Sequence, residues 1–273
     1  MLGAGTMGAQ IAAHLANAPG VRTSSTSSPP ARPVPAGALA SGAMQVMARA
    51  EPAPFMEPSF AARVTVGNFD DDLEAAVGAS DLVIEAVVER LDIKQALFAR
   101  VAAAAPAHAI LASNTSGIAI GSIAADLPED ARRRVVGMHF FNPPRYMHLL
   151  EVVPAATTAP EVVAELAEFS DRVLGKGVVI CRDTPNFIGN RIGTGEDAPD
   201  LRRHRGQRLH RRGGRPPQRP PGQVAPHHGH RLHADLVGVD VIGHVIRSLA
   251  MRALRRPQVR PYQTSSTTAW SYH

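Results

Sequence analysis

The 273-residue chain has a single cysteine, Cys181, so it can build neither a disulfide framework nor a thiolate zinc site. One lone thiol suits a reducing, cytoplasmic setting. No stretch approaches the roughly 18–20 uncharged apolar residues that a membrane helix needs. The opening residues run straight into a glycine-rich turn and do not read as a secretory signal. The expectation is a protein without a membrane partner. Aromatic residues are missing altogether from 194–233, a segment that holds nine Arg, six His and six Pro. Such a segment cannot bury enough apolar surface to offset the entropy of ordering it, and reads as disordered.

What is present divides sharply by charge. Residues 1–192 carry 15 Lys and Arg against 19 Asp and Glu, a balance of −4, whereas 193–273 carry 14 against 5, a balance of +9. The basic character therefore belongs to the last third alone. The apolar share of 44% is ordinary and allows a sizeable core.

Along the chain, 3–18 read GAGTMGAQIAAHLANA, a glycine turn leading into an apolar-periodic helix. Residues 23–36 (TSSTSSPPARPVPA) are Ser/Thr/Pro-rich and are not expected to form a buried strand, because proline removes ladder donors. A helical pattern resumes over 39–49. Short apolar runs at 81–88, 109–112, 135–141 and 177–181 read as strands. Helical patterns through Lys94 and Phe98, around 121–126 and over 161–174 lie between them. Strands alternating with helices predict an α/β fold, a Rossmann-type doubly wound parallel sheet. A further amphipathic helix is expected over 234–249, followed by a disordered tail over 251–273. The expected domains are a dinucleotide-binding unit over 1–185 and a degenerate, partly helical remnant over 186–250.

Gly3, Gly5 and Gly8 make a GxGxxG turn ahead of a helix. The first glycine permits the tight turn, the second a close pyrophosphate and the third close helix packing, while the helix N-terminus offers amide donors. By itself the pattern is weak, and a plain glycine turn would also explain it. The acidic residue that should follow about twenty positions later, to hold the ribose hydroxyls, is absent; Ser/Thr/Pro text stands there. His139 closes an apolar run, and Glu151 follows twelve residues later. A histidine at the carboxyl end of a strand, oriented by a carboxylate, suits a general base for an alcohol proton. A core histidine beside an unrelated glutamate fits the spacing equally well. The loop SNTS at 113–116 could bind a cofactor or cap a helix, and capping is the commoner use. Asn190 is an amide donor near an expected domain edge.

Six segments in order and in register, GAGTMG, IEAVVERLDIK, SNTSGI, HFFNPP, LLEVVP and DTPNFIGNRIG, resemble the 3-hydroxyacyl-CoA dehydrogenases. Multifunctional members, in which the dehydrogenase precedes an enoyl-CoA hydratase module, are the most similar. The resemblance spans 1–193 and implies oxidation of an L-3-hydroxyacyl-CoA to the 3-ketoacyl-CoA with NAD, in fatty-acid degradation. It implies His139 as the base, Glu151 as its carboxylate partner, and Ser116 and Asn190 near the reacting oxygen. Gly3, Gly5, Thr6, Met7, Gly8, Glu89, Lys94, Asn114, Ser116 and Asn142 fall on the cofactor side. The family also implies a homodimer and an acyl-CoA partner. Three departures stand out: a first strand trimmed to Met1 and Leu2, the altered 23–36, and the altered 194–233. Family-like text on either side of foreign text suggests local reading-frame shifts, and with them a catalytically impaired remnant of the enzyme.

The last third carries features of two other functions. The arginines of 202–219 could neutralise phosphates; with no interleaved aromatics they predict no specific nucleic-acid binding, and nonspecific, salt-sensitive binding is the alternative function they allow. His227, His228, His230 and His233 lack a carboxylate or cysteine shell, so no metal is assigned.

Overall fold

The computed structural model describes residues 1–27 and 37–191. The basic segment, its histidines, the expected helix over 234–249 and the tail all lie outside the described residues.

In chain order the elements are α1 (Thr6–Ala16), β1 (Thr23–Ser27), α2 (Ala38–Met47), a 3-10 turn (Pro58–Arg63), β2 (Val64–Asn68), α3 (Leu73–Gly78), β3 (Leu82–Glu85) and α4 (Leu91–Ala104). They continue with β4 (Ile110–Ser113), α5 (Ile120–Ile123), α6 (Glu129–Arg132), β5 (Val135–Phe140), β6 (Leu149–Pro154), α7 (Pro160–Arg172) and β7 (Gly177–Ile180). Strands β3-β4-β5-β6-β7 lie side by side, and β1 pairs in parallel with β2. Leu2 joins the two groups, bridging in parallel to Thr26 on one side and Glu85 on the other. The sheet is doubly wound, as the alternation of elements predicts.

Period-two patterning places helices on both faces. Val83, Leu111 and Val135 point into a cluster with Leu73, Leu97 and Phe98, under α3 and α4. Their neighbours Ile84, Ala112 and Val136 point the other way, to Ile11, Leu15, Val162 and Leu166 on α1 and α7. Each such fully buried aliphatic side chain contributes roughly 1.5–3 kcal/mol relative to exposure.

Two differences from the sequence expectations have clear causes. Thr23–Ser27 is a strand, and all but Ser24 are buried. Within 23–36 the first proline is Pro29, so the amides of 23–27 remain available, and pairing with β2 and Leu2 overrides poor strand propensity. Three hydroxyls of this strand, those of Thr23, Ser25 and Thr26, are nevertheless buried without a hydrogen-bond partner. The sheet is also mixed, since β6 runs antiparallel to β5. Residues 141–148 connect the two, fewer than the dozen or so that a parallel crossover requires.

Candidate active site

The described polar groups converge at the carboxyl ends of β3, β4 and β5, beside the glycine turn. Open α/β sheets bind ligands in this crevice. Gly3 has φ +111°, and a Cβ there would lie 2.6 Å from the Ala86 carbonyl oxygen. A Cβ on Gly8 would lie 2.1 Å from the Gly3 carbonyl oxygen. Both positions therefore exclude a side chain. A Cβ on Gly5 would meet nothing within 4 Å. Gly5 is also the N-cap of α1, which has no side-chain cap. The first-turn amides of Thr6, Met7 and Gly8 thus lack intrahelical partners, and Thr6 is exposed. An open cradle of amides at a helix N-terminus fits a pyrophosphate. The ribose side fits less well, because the first fifty residues hold no Asp or Glu.

Behind the cradle sits a buried charge network. Glu85, 0% exposed, receives Lys94 Nζ at 2.6 Å, Ser113 Oγ at 2.6 Å and the Val87 amide at 2.6 Å. Lys94 also reaches Glu89 at 3.3 Å. Glu89 Oε1 accepts the Thr115 hydroxyl at 2.5 Å and the amides of Ser116 and Gly117 at 2.9 and 3.2 Å. Burial alone would raise the Glu89 carboxyl, but the Lys94 charge and these donors together hold it below the ordinary carboxylate value. The network fixes the loop after β4, with Ser116 in it. Asn114 Oδ1 accepts the Phe140 amide at 2.9 Å, tying that loop to the end of β5.

His139 and Glu151 face each other across β5 and β6 in register. Antiparallel pairing at this position places His139 Nδ1 2.8 Å from Glu151 Oε2, with both residues buried. The other carboxylate oxygen, Oε1, accepts the Ile188 and Gly189 amides at 3.0 and 2.7 Å. Burial opposes ionisation of Glu151, and the His139 hydrogen bond and charge with the two amides outweigh it, holding the carboxyl below its usual range. Phe141 and Phe187 flank the His139 ring, with centroids 4.7 and 5.6 Å away. Glu151 occupies Nδ1, which leaves Nε2 as the second ring nitrogen. Asn190 Nδ2 donates to the Ser116 carbonyl at 3.3 Å, and Asn142 follows β5 by two residues.

The structure therefore brings His139 to Glu151, Asn190 to Ser116, and Glu89 with Lys94 to the 114–117 loop. The glycine turn meets these groups through strand ends rather than directly. Gly3 packs on Ala86, Glu85 bonds Ser113, and Asn114 bonds Phe140. Sequence reasoning missed Glu85, Ser113 and Thr115 as parts of one network. Glu85 carries a usable signal, an acid inside the apolar run DLVIEAVV. Among the described residues there is no cluster of three or more His, Cys, Asp or Glu able to hold a metal ion, and no helix long and apolar enough to cross a membrane.

Residues 1–184 match the family described as "3-hydroxyacyl-CoA dehydrogenase, NAD binding domain". A probable 3-hydroxyacyl-CoA dehydrogenase of Deinococcus radiodurans is 44% identical over 193 residues, covering 71% of this chain and 55% of that protein. One from Bacillus subtilis is 38% identical over 214 residues, covering 71% of this chain and 26% of the relative. The chain thus spans about half the length of one relative and a quarter of the other. Among solved structures, M. tuberculosis FadB2 superposes with a TM-score of 0.64 at 33% identity, over 75% of this chain and 70% of that one. The Escherichia coli K12 3-hydroxybutyryl-CoA dehydrogenase gives 0.62 at 33% identity, over 76% of this chain and 42% of that one.

Proposed function

Because the chain belongs to the 3-hydroxyacyl-CoA dehydrogenase family and contains its NAD-binding domain, we propose that it oxidises an L-3-hydroxyacyl-CoA to the 3-ketoacyl-CoA with NAD. The observation that carries this reading is the buried His139–Glu151 pair at the strand ends. Glu151 fixes the ring through Nδ1 and stabilises the imidazolium, so that His139 Nε2 takes the substrate hydroxyl proton. Ser116 and Asn190 position the reacting oxygen. Gly3, Gly5, Thr6, Met7 and Gly8 would hold the pyrophosphate, with Glu89, Lys94, Asn114 and Asn142 also on the cofactor side. Bound NAD supplies the hydride acceptor; the protein's part is alignment and proton removal. Degradation of fatty acids in the cytoplasm is the setting that suits this reaction and the lone cysteine.

The test is NADH formation, followed by nicotinamide absorbance, with L-3-hydroxybutyryl-CoA and NAD. His139→Ala should lower kcat by about 10²–10⁴-fold, the usual worth of a general base, while NADH still binds. Equal rates in the two proteins would remove His139 from the mechanism.

A second reading is favoured by the unpartnered hydroxyls of β1 and the missing ribose-side acid. Here 23–36, 194–233 and the tail after about 250 are translated out of frame, and the chain is a catalytically impaired remnant. Turnover only in a frame-restored version would select this reading. Equal turnover in both would reject it.

A further inference from the structure

We infer that Asp183 is a positioning residue for the His139–Glu151 pair, acting through the turn that supplies the Glu151 amide donors. This rests on the dehydrogenase reading for its kinetic consequence, but not for its structural one. Asp183 lies between β7 and that turn, and both of its carboxylate oxygens are engaged by backbone. Oδ1 accepts the Ile120 amide at 2.7 Å and Oδ2 the Gly121 amide at 2.8 Å. These donors belong to α5, some sixty residues earlier in the chain. The start of the 183–190 turn is thereby clamped to the element that follows the Ser116 loop.

The middle of the turn is strained. Asn186 and Phe187 have φ of 66° and 43°, consecutive left-handed positions without a glycine. Such conformations persist only where surrounding contacts hold them. Phe187 is 1% exposed, packed in the core under α4 and against the His139 ring. The far end of the turn delivers the Ile188 and Gly189 amides to Glu151. A Cβ on Gly189 would lie 2.5 Å from the Phe141 ring, so the approach is close. One residue further on, Asn190 donates to the Ser116 carbonyl. Clamp, strained bend and delivered donors form one continuous path. Release of the clamp lets the bend relax, and the amides draw away from Oε1.

His139 from β5 and Cys181 just beyond β7 are titratable groups that face Glu151. Burial, with Glu151 nearby, pushes the Cys181 thiol up to about 12, so it stays neutral. Loss of the two amides then acts on the pair itself. Glu151 rises toward the ordinary carboxylate range.

The experiment compares the full chain with Asp183→Ala and with Asp183→Asn, which keeps one of two acceptors. Isotope-edited carboxyl NMR follows the Glu151 titration, assigned with Glu151→Gln, alongside the pH dependence of turnover. The expected result is an upward move of the Glu151 titration in Asp183→Ala. The Asn variant should shift less, and kcat should fall roughly tenfold with KM little changed. A kcat loss with the Glu151 titration unmoved would overturn the proposal and leave Asp183 a cap for α5. A shifted Glu151 in a chain with no turnover would uphold the clamp and sink the dehydrogenase reading instead. Should Asp183→Ala fail to fold, Asp183→Asn decides by the same two readouts.

Discussion

Two parts of one sheet bury polar side chains, and they treat them in opposite ways. In β1 the hydroxyls of Thr23, Ser25 and Thr26 are enclosed without partners. At the ends of β3 to β6, Glu85, Lys94, Ser113, Thr115, His139 and Glu151 are just as buried, yet each is matched by a charge or hydrogen bond. An unmatched buried hydroxyl costs about 1–3 kcal/mol, whereas a matched one is roughly neutral or favourable. Pairing, not burial, therefore marks the half of the crevice that holds the candidate site. The β1 region is a strand the fold tolerates because Leu2 and β2 supply its backbone partners.

Mutations at the two places should differ in sign as well as size. The largest effect is expected from Lys94→Met, which strands the Glu85 charge in a site 1% exposed. Removal of one partner from a buried pair costs about 3–5 kcal/mol, measured as a loss in the free energy of chemical unfolding. An unchanged midpoint would mean that water reaches Glu85.

Gly8→Ala comes next. Its Cβ would lie 2.1 Å from a backbone oxygen that cannot move aside cheaply, so about 1–3 kcal/mol of stability should go, together with NADH binding. Gly5→Ala enters open space and should leave folding intact while weakening NADH, as titration calorimetry would register.

The sharpest contrast is smaller. Ser113→Ala removes a hydroxyl bonded to Glu85 and should destabilise by about 1–3 kcal/mol. Thr26→Val removes an unmatched hydroxyl without changing shape and should stabilise by about 1 kcal/mol. Unfolding curves with the same sign for both would erase the distinction between the two regions.

The smallest effect is in the acid dependence of stability. Glu89 is held below its unfolded value in the native state. Its contribution is therefore present above the ordinary carboxylate range and lost as pH falls through the depressed native value. Glu89→Gln should flatten the stability–pH curve on that acid side and leave its neutral portion parallel to the original.

The same contrast explains what could be read from the sequence. Strands β3 to β5 and β7 were legible because apolar runs bounded by polar turns carry their own signal. The glycine turn was legible because a side chain has no room at Gly3 or Gly8. His139 and Glu151 were visible as residue types, but their registry needed the antiparallel turn of β6, which depends on a short connection rather than on pattern. Strand β1 was hidden, since Thr23–Ser27 has no apolar alternation and owes its pairing to Leu2 and β2. Asp183 was hidden for a related reason: its partners, Ile120 and Gly121, lie in a distant part of the chain.

The central claim is that His139 and Glu151 work as one unit in this chain. A double-mutant cycle on turnover of L-3-hydroxybutyryl-CoA with NAD tests it most directly, using His139→Ala, Glu151→Gln and the double variant. The account predicts strong non-additivity, with the double variant no slower than His139→Ala alone. Losses that simply multiply, or wild-type turnover no faster than the variants, would contradict it.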